Sequence, residues 1–184
     1  MTDVFNSIFD IVIGIEGDLS LDPNDPGNWT GGEIGKGDLN GTKYGISAAA
    51  YPNLDIKNLT VQQASTLYYN REWKEINGDQ LLPAFALLVF DAAVNNGPSV
   101  AGVLFQEMLG VNQDGIIGPL TIKAMNDTVH RDVLWNCMTY LRLRLRYYES
   151  LNNERFIDGW TNRLFNLAYH LHSFVGVSGG SQGN

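Results

Sequence analysis

The stretch from Asp18 to Ser47 constrains this chain most, because its seven glycines and two prolines leave no room for a regular helix. Ahead of it, Val4, Phe5, Ile8, Ile11, Val12 and Ile15 recur at helical spacing and predict a helix over 3–15 with one buried face. Gly14 and Gly17 fall around its expected end. Within the irregular stretch, short alternating pieces flank Asn40-Gly41, a residue pair suited to the positive φ angles of a type I′ hairpin turn. The expected architecture is mainly α, a helical body with a small β-hairpin lobe near the N-terminus. An irregular segment of this length in a compact domain usually has work to do.

After Asp55 the chain reads as helical almost throughout. Thr60-Val61-Gln62-Gln63 has the pattern of a capping box, opening a helix that carries Ala64, Leu67, Tyr68 and Trp73. Pro83, Pro98 and Pro119 each suit a first helical position, where no backbone N–H is needed. Ala84 to Asn96 is nearly all apolar, so it predicts a central buried helix. Two amphipathic helices are expected over 130–151 and 154–175, the second with Phe156, Trp160, Leu164, Leu167, Leu171 and Phe174 on one stripe. The expected division is 1–80 for an N-terminal part and 81–177 for a helical part packed into the same globule. A Gly/Ser/Gln/Asn tail over 178–184 is expected to be disordered.

The formal charge of −8 argues against a general nucleic-acid or acidic-membrane binder. Arg142, Arg144 and Arg146 form the densest basic group, and they read as a solvated rim rather than a phosphate track. The single Cys137 excludes an internal disulfide and sits in an apolar pattern as a small buried hydrophobe. Nothing approaches the apolar length that spans a bilayer, and the N-terminus has no basic region of the kind a secretory signal carries. The expectation is synthesis in the cytoplasm, with any action outside depending on a separate release.

Glu16 is the first residue with chemistry to offer. A carboxyl at a helix C-terminus, after Ile13 and Ile15, is held towards its neutral form, as an acid that protonates a leaving glycosidic oxygen must be. The same residue also reads as an ordinary surface acid at a helix end. Asp25, nine positions on, is placed by its turn to bring back a second carboxylate, one that activates water or stabilises positive charge at a sugar ring. Alternatively, Asp22, Asn24 and Asp25 only build turns ahead of Pro23 and Pro26. Asp22, Asn24, Gly27 and Glu33 fall on positions of a calcium loop, but Pro26 occupies a ligand position and no helix follows. His170 and His172 point to different helix faces and His130 is alone, so no zinc set exists, and neither metal nor cofactor is expected. Thr42 offers a hydroxyl to position water, and Tyr44 and Trp29 offer rings to stack on sugar. Tyr44 could equally form the inner face of the small lobe. Asp91 and Asn95, four apart on the buried helix, are expected to bond the lobe to the body and to line a cleft floor.

Several of these residues fall into ordered motifs. Glu16-Gly17-Asp18, Asp22-Pro23-Asn24-Asp25-Pro26-Gly27 and Thr42-Lys43-Tyr44-Gly45-Ile46 together resemble glycoside hydrolase family 108, which comprises phage endolysins and secretion-associated muramidases. Phe90-Asp91-Ala92-Ala93-Val94-Asn95-Asn96-Gly97-Pro98 and Asp114-Gly115-Ile116-Ile117-Gly118-Pro119 resemble the peptidoglycan-associated C-terminal part of the same proteins. The resemblance spans about residues 8–126 and implies a lysozyme-like fold, with Glu16 as the catalytic acid facing the β lobe. Asp18 departs from the family, which has glycine there, and Asn28 to Gly41 lengthens the lobe. The implied activity is hydrolysis of the β-1,4 bond from N-acetylmuramic acid to N-acetylglucosamine. Asp25 and Thr42 would be the further catalytic residues, and Tyr44, Trp29 and Asn95 substrate contacts. The partner would be bacterial cell-wall peptidoglycan, met by a monomer in the periplasm after holin-type or other release. A lytic transglycosylase and a non-catalytic wall-binding module resting on the Asp114-Gly115 segment remain open beside it.

Overall fold

The computed structural model describes residues 1–13, 18–128 and 132–175. The chain falls into two compact units, Met1–Arg71 and Glu72–Asn184. Among the described residues it is mainly helical, with seven α-helices and one two-stranded antiparallel sheet.

The first unit begins with α1 (Asp3–Ile13), which buries Phe5, Ile8, Phe9 and Val12, four members of the expected stripe or its neighbours. Phe5 meets Tyr69 edge-on at 5.0 Å, and Phe9 lies against Tyr68 at 6.0 Å. Helix α2 (Val61–Tyr68) opens with the expected capping box. The Thr60 hydroxyl accepts from the Gln63 N–H at 3.3 Å, and the Gln63 side chain accepts from the Thr60 N–H at 2.9 Å. Such a cap contributes about 1 kcal/mol by satisfying donors that the helix leaves open. A π-helical turn, Tyr69–Trp73, follows.

Strands β1 (Thr42–Lys43) and β2 (Ile46–Ser47) pair with Thr42 opposite Ser47 and Lys43 opposite Ile46. The hairpin therefore turns at Tyr44-Gly45, not at Asn40-Gly41. Both turn residues have positive φ, 53° and 74°, the combination a type I′ turn demands. Asn40-Gly41 instead leads into β1. The amides of Asn40 and Gly41 both donate to the Asn28 carbonyl at 3.0 Å, and Thr42 bridges to Ser20. Residue preference marks where positive φ is affordable, but pairing partners decide which such pair becomes the turn.

The second unit is built on α3 (Pro83–Asn96), whose residues Ala84 to Ala93 are all buried. Gly97 ends it and Pro98 begins α4 (Pro98–Leu109); Pro119 begins α5 (Pro119–Thr128). Helix α6 (Val133–Ser150) starts later than expected because Asp132 caps it, accepting from the Trp135 N–H at 3.2 Å. Helix α7 (Glu154–His170) ends earlier, passing into a 3₁₀ turn at Leu171–Ser173. Leu164, Leu167 and Leu171 are buried as expected, whereas Phe156 in the first turn is exposed. The tail over 178–184, and His130, lie outside the described residues.

The arginine group departs from its expected rim. Positions two apart on a helix point nearly opposite ways, so Arg142 and Arg146 face solvent while Arg144 is wholly buried. Its Nη1 donates to Asp91 Oδ2 at 2.7 Å and its Nη2 to the Tyr148 hydroxyl at 2.5 Å. Arg163 of α7 takes the other Asp91 oxygen through Nε at 2.7 Å and Nη2 at 2.6 Å. Both Asp91 carboxylate oxygens thus accept from arginines of its own helical unit. The Asn95 Nδ2 donates to the Asp91 carbonyl at 2.7 Å within α3, and the residue is exposed.

Candidate active site

Of the expected catalytic residues, Glu16 lies outside the described residues, together with Gly14, Ile15 and Gly17. Asp25, Trp29, Thr42 and Tyr44 all belong to the first unit and to one hydrogen-bonded lobe. Asn95 belongs to the second unit.

The lobe is laid out by short-range side-chain bonds. Asp22 Oδ1 accepts from the Asn24 N–H at 2.9 Å and from its Nδ2 at 3.1 Å, the Asx-turn that the Asp-Pro spacing suggests. Asp25 then caps the 3₁₀ turn Pro26–Asn28, its Oδ1 accepting from the Gly27 N–H at 2.8 Å. This holds the carboxylate in one orientation, exposed, with Oδ2 lacking any partner among the described residues. A solvated, fixed carboxylate of this kind can accept a proton from water or face a developing cation.

Asn28 is the residue that sequence reasoning missed. It is fully buried, its Nδ2 donates to the Asp22 carbonyl at 3.0 Å and to the Ser20 hydroxyl at 3.4 Å, and its own carbonyl receives Asn40 and Gly41. It therefore ties the capped turn to the strand that bears Thr42. The one signal for it is a polar residue between a Pro-Gly turn and a tryptophan, which is too common to single it out. Trp29 is partly buried, and its indole N–H donates to the Pro23 carbonyl at 3.0 Å, which ties the ring to the Asp22–Asn24 turn. Thr42 exchanges two backbone bonds with Ser20, at 2.9 and 3.0 Å, and is partly exposed. Tyr44 occupies the first turn position, its carbonyl accepting from the Tyr68 hydroxyl at 3.0 Å and Lys43 Nζ lying 5.4 Å from its ring centre.

The positions of the calcium-loop pattern are spent on structure: Asp22 and Asn24 on the Asx-turn, and Glu33 on an ion pair with Lys36 at 3.2 Å. Among the described residues, no group of three or more His, Cys, Asp and Glu side chains is placed to hold a metal ion. Cys137 is buried, and loss of hydration pushes its thiol up to about 12, so it is no nucleophile at neutral pH.

Residues 9–97 match the family model described as Glycosyl hydrolase 108, and residues 100–165 match the one described as Predicted Peptidoglycan domain. No curated protein matches the chain. Among solved structures, the chain is similar to SagA of Brucella abortus, with a TM-score of 0.75 and 26% sequence identity. That likeness covers 95% of this chain and 97% of that one.

Proposed function

We propose, for a chain whose residues 9–97 match glycosyl hydrolase family 108 and whose residues 100–165 match a peptidoglycan domain, a muramidase reaction with Glu16 as the general acid. The two matched models are those of a glycoside hydrolase of lysozyme type directed at peptidoglycan. The finer reading is that this chain cuts the β-1,4 bond from N-acetylmuramic acid to N-acetylglucosamine.

In that reading Glu16 protonates the leaving oxygen, and an oxocarbenium-like sugar forms beside it. Asp25 stabilises that charge or activates the attacking water, and Thr42 orients the water. Tyr44 and Trp29 bear on the sugar faces, and Asn95 contacts substrate. The observation that carries the reading is Asp25 itself. Its Oδ1 is anchored by the Gly27 N–H while Oδ2, exposed, has no partner among the described residues, the state an accessory carboxylate needs. The place of action would be the wall, reached by holin-type or other release, as for a phage endolysin.

Mass spectrometry of muropeptides released from purified peptidoglycan tests this directly. Wild type should release reducing muramic ends, and Glu16→Gln should fold normally yet release none. Near-full activity in Glu16→Gln would remove Glu16 from the mechanism. Products ending in 1,6-anhydro-muramic acid would reassign the enzyme as a transglycosylase, and wall binding without any products would make it a binding module.

A further inference from the structure

The turn between α4 and α5 is built to a rigidity that neither helix requires. Gln106, almost fully buried on α4, shares its Nε2 among Asp114 Oδ1 at 2.7 Å, the Ile116 carbonyl at 3.0 Å and the Thr121 hydroxyl at 3.1 Å. Its Oε1 accepts from the Gly115 N–H at 2.8 Å. Asp114 Oδ1 also accepts from the Ile116 N–H at 2.9 Å. The turn lies directly on the helix backbone, since a Cβ at Gly102 would stand 2.2 Å from the Gly115 carbonyl oxygen. One buried amide thus ties down the polar groups at the centre of the segment.

What the rigid turn holds outward is apolar. Ile116 is 70% exposed and Leu120 84% exposed, among the most exposed large hydrophobic side chains described. They border a cavity of about 500 Å³, completed by Val111, Pro119, Asn112 and Asp114. That volume is in the range of small-ligand sites. Aliphatic chains held in water by a preorganised loop beside a cavity cost little extra to immobilise on binding, which is what a binding surface needs.

We propose that this cavity is a subsite for the stem peptide of peptidoglycan, not for its glycan. Ile116 and Leu120 pack the alanine methyl groups, and Asp114 receives the free amine of the diamino acid. The inference rests on the peptidoglycan-directed reading above and names the part of the polymer bound. No aromatic ring lines the cavity, and sugar recognition depends on ring faces such as those of Trp29 and Tyr44 in the first unit. A short peptide with methyl side chains and one ammonium group matches aliphatic walls and a single carboxylate. The hydrogen bonds from Gln106 and the Ile116 N–H hold the Asp114 carboxyl below its usual range, so at neutral pH an anion faces the cationic amine. Its Oδ2 has no partner among the described residues.

The test is a titration of the isotope-labelled full chain with a synthetic tetrapeptide, L-Ala-γ-D-Glu-L-Lys-D-Ala, followed by amide chemical shifts. Saturable shifts are expected at Gly115, Ile116 and Leu120. The double variant Ile116→Ser/Leu120→Ser, altered only at exposed positions, should weaken the tetrapeptide at least tenfold, as should acetylation of the lysine amine. Asp114→Asn keeps the Oδ1 acceptor for Gln106 and Ile116 but removes the charge, and should also weaken binding. Hydrolysis of peptide-free glycan should be unchanged in the double variant. Tetrapeptide that leaves these amides unshifted, or binds the double variant as tightly, overturns the inference, and so does a peptide-free glycan that shifts the same amides. If sedimentation instead shows a wild-type dimer that the double variant abolishes, the face belongs to a second copy and the inference falls. Wild type that hydrolyses the wall but does not bind the tetrapeptide counts against this subsite alone. Absent wall hydrolysis with tetrapeptide bound counts against the hydrolase reading alone.

Discussion

Asp91→Asn is the perturbation that most directly probes how the helical unit is held together. One buried carboxylate serves two guanidinium groups, one from α6 and one from α7. Asparagine can accept from one of them, but its amide then faces the N–H groups of the other. Arg163 is 32% exposed and can recover hydration, whereas Arg144 at 0% cannot. The stranded charge of Arg144 should therefore dominate, at about 3–5 kcal/mol for a buried pair broken by loss of one partner. Arg144→Met should be milder. Asp91 keeps Arg163, Tyr148 keeps its bond to Asn96, and the buried Arg144 Nε, which has no partner among the described residues, disappears with the side chain. Relief of that unsatisfied donor offsets part of the lost ion pair, so ~1–2 kcal/mol is expected. The double variant should then cost at least ~2 kcal/mol less than the sum of the singles. Urea unfolding of the full chain, followed by far-ultraviolet circular dichroism, reads all three differences. If Arg144→Met costs as much as Asp91→Asn, or the two add to within ~0.5 kcal/mol, the stranded-charge reasoning is wrong.

Asp25→Asn separates chemistry from capping, because asparagine keeps the Oδ1 acceptor for the Gly27 N–H. Activity on peptidoglycan should fall more than about tenfold, worth ~1.4 kcal/mol, with unchanged melting temperature; a smaller loss makes Asp25 a cap only. Gly45→Ala should lower stability by about 1–3 kcal/mol, since φ is +74° and the new Cβ would stand 2.7 Å from the Tyr68 hydroxyl oxygen. A calorimetric scan showing no loss would argue against the Tyr44-Gly45 turn. The Asp114 carboxyl is depressed below its ordinary value of 3.8, so its contribution to the turn is present above that pH and is lost as pH falls through the lower folded value. The Ile116 amide resonance should accordingly titrate with a midpoint below 3.8, and a midpoint at or above that value contradicts the Gln106-centred network.

Much of the local structure was legible because its causes are local. The α1 stripe, the Thr60–Gln63 capping box, Pro83, Pro98 and Pro119 at helix starts, and the Asp22 Asx-turn all depend on residues near one another along the chain. The motifs that carry the family were legible for a related reason, as each is a short run with its own turn chemistry.

What the sequence determined by itself is therefore the class of the chain: a helical body, an irregular lobe near its start, and ordered motifs that resemble a glycosyl hydrolase family and a peptidoglycan domain. Only the tertiary structure decided which positive-φ pair turns the hairpin, since that depends on Asn28 receiving Asn40 and Gly41, twelve residues and more away along the chain. Only it could turn Arg144 from a rim charge into a buried partner of Asp91, fifty-three positions distant. Likewise, nothing local marks Gln106 as the residue that holds the turn ahead of α5. A buried polar side chain is defined by its partners, and those partners are brought together by packing, which leaves no periodic trace in the sequence.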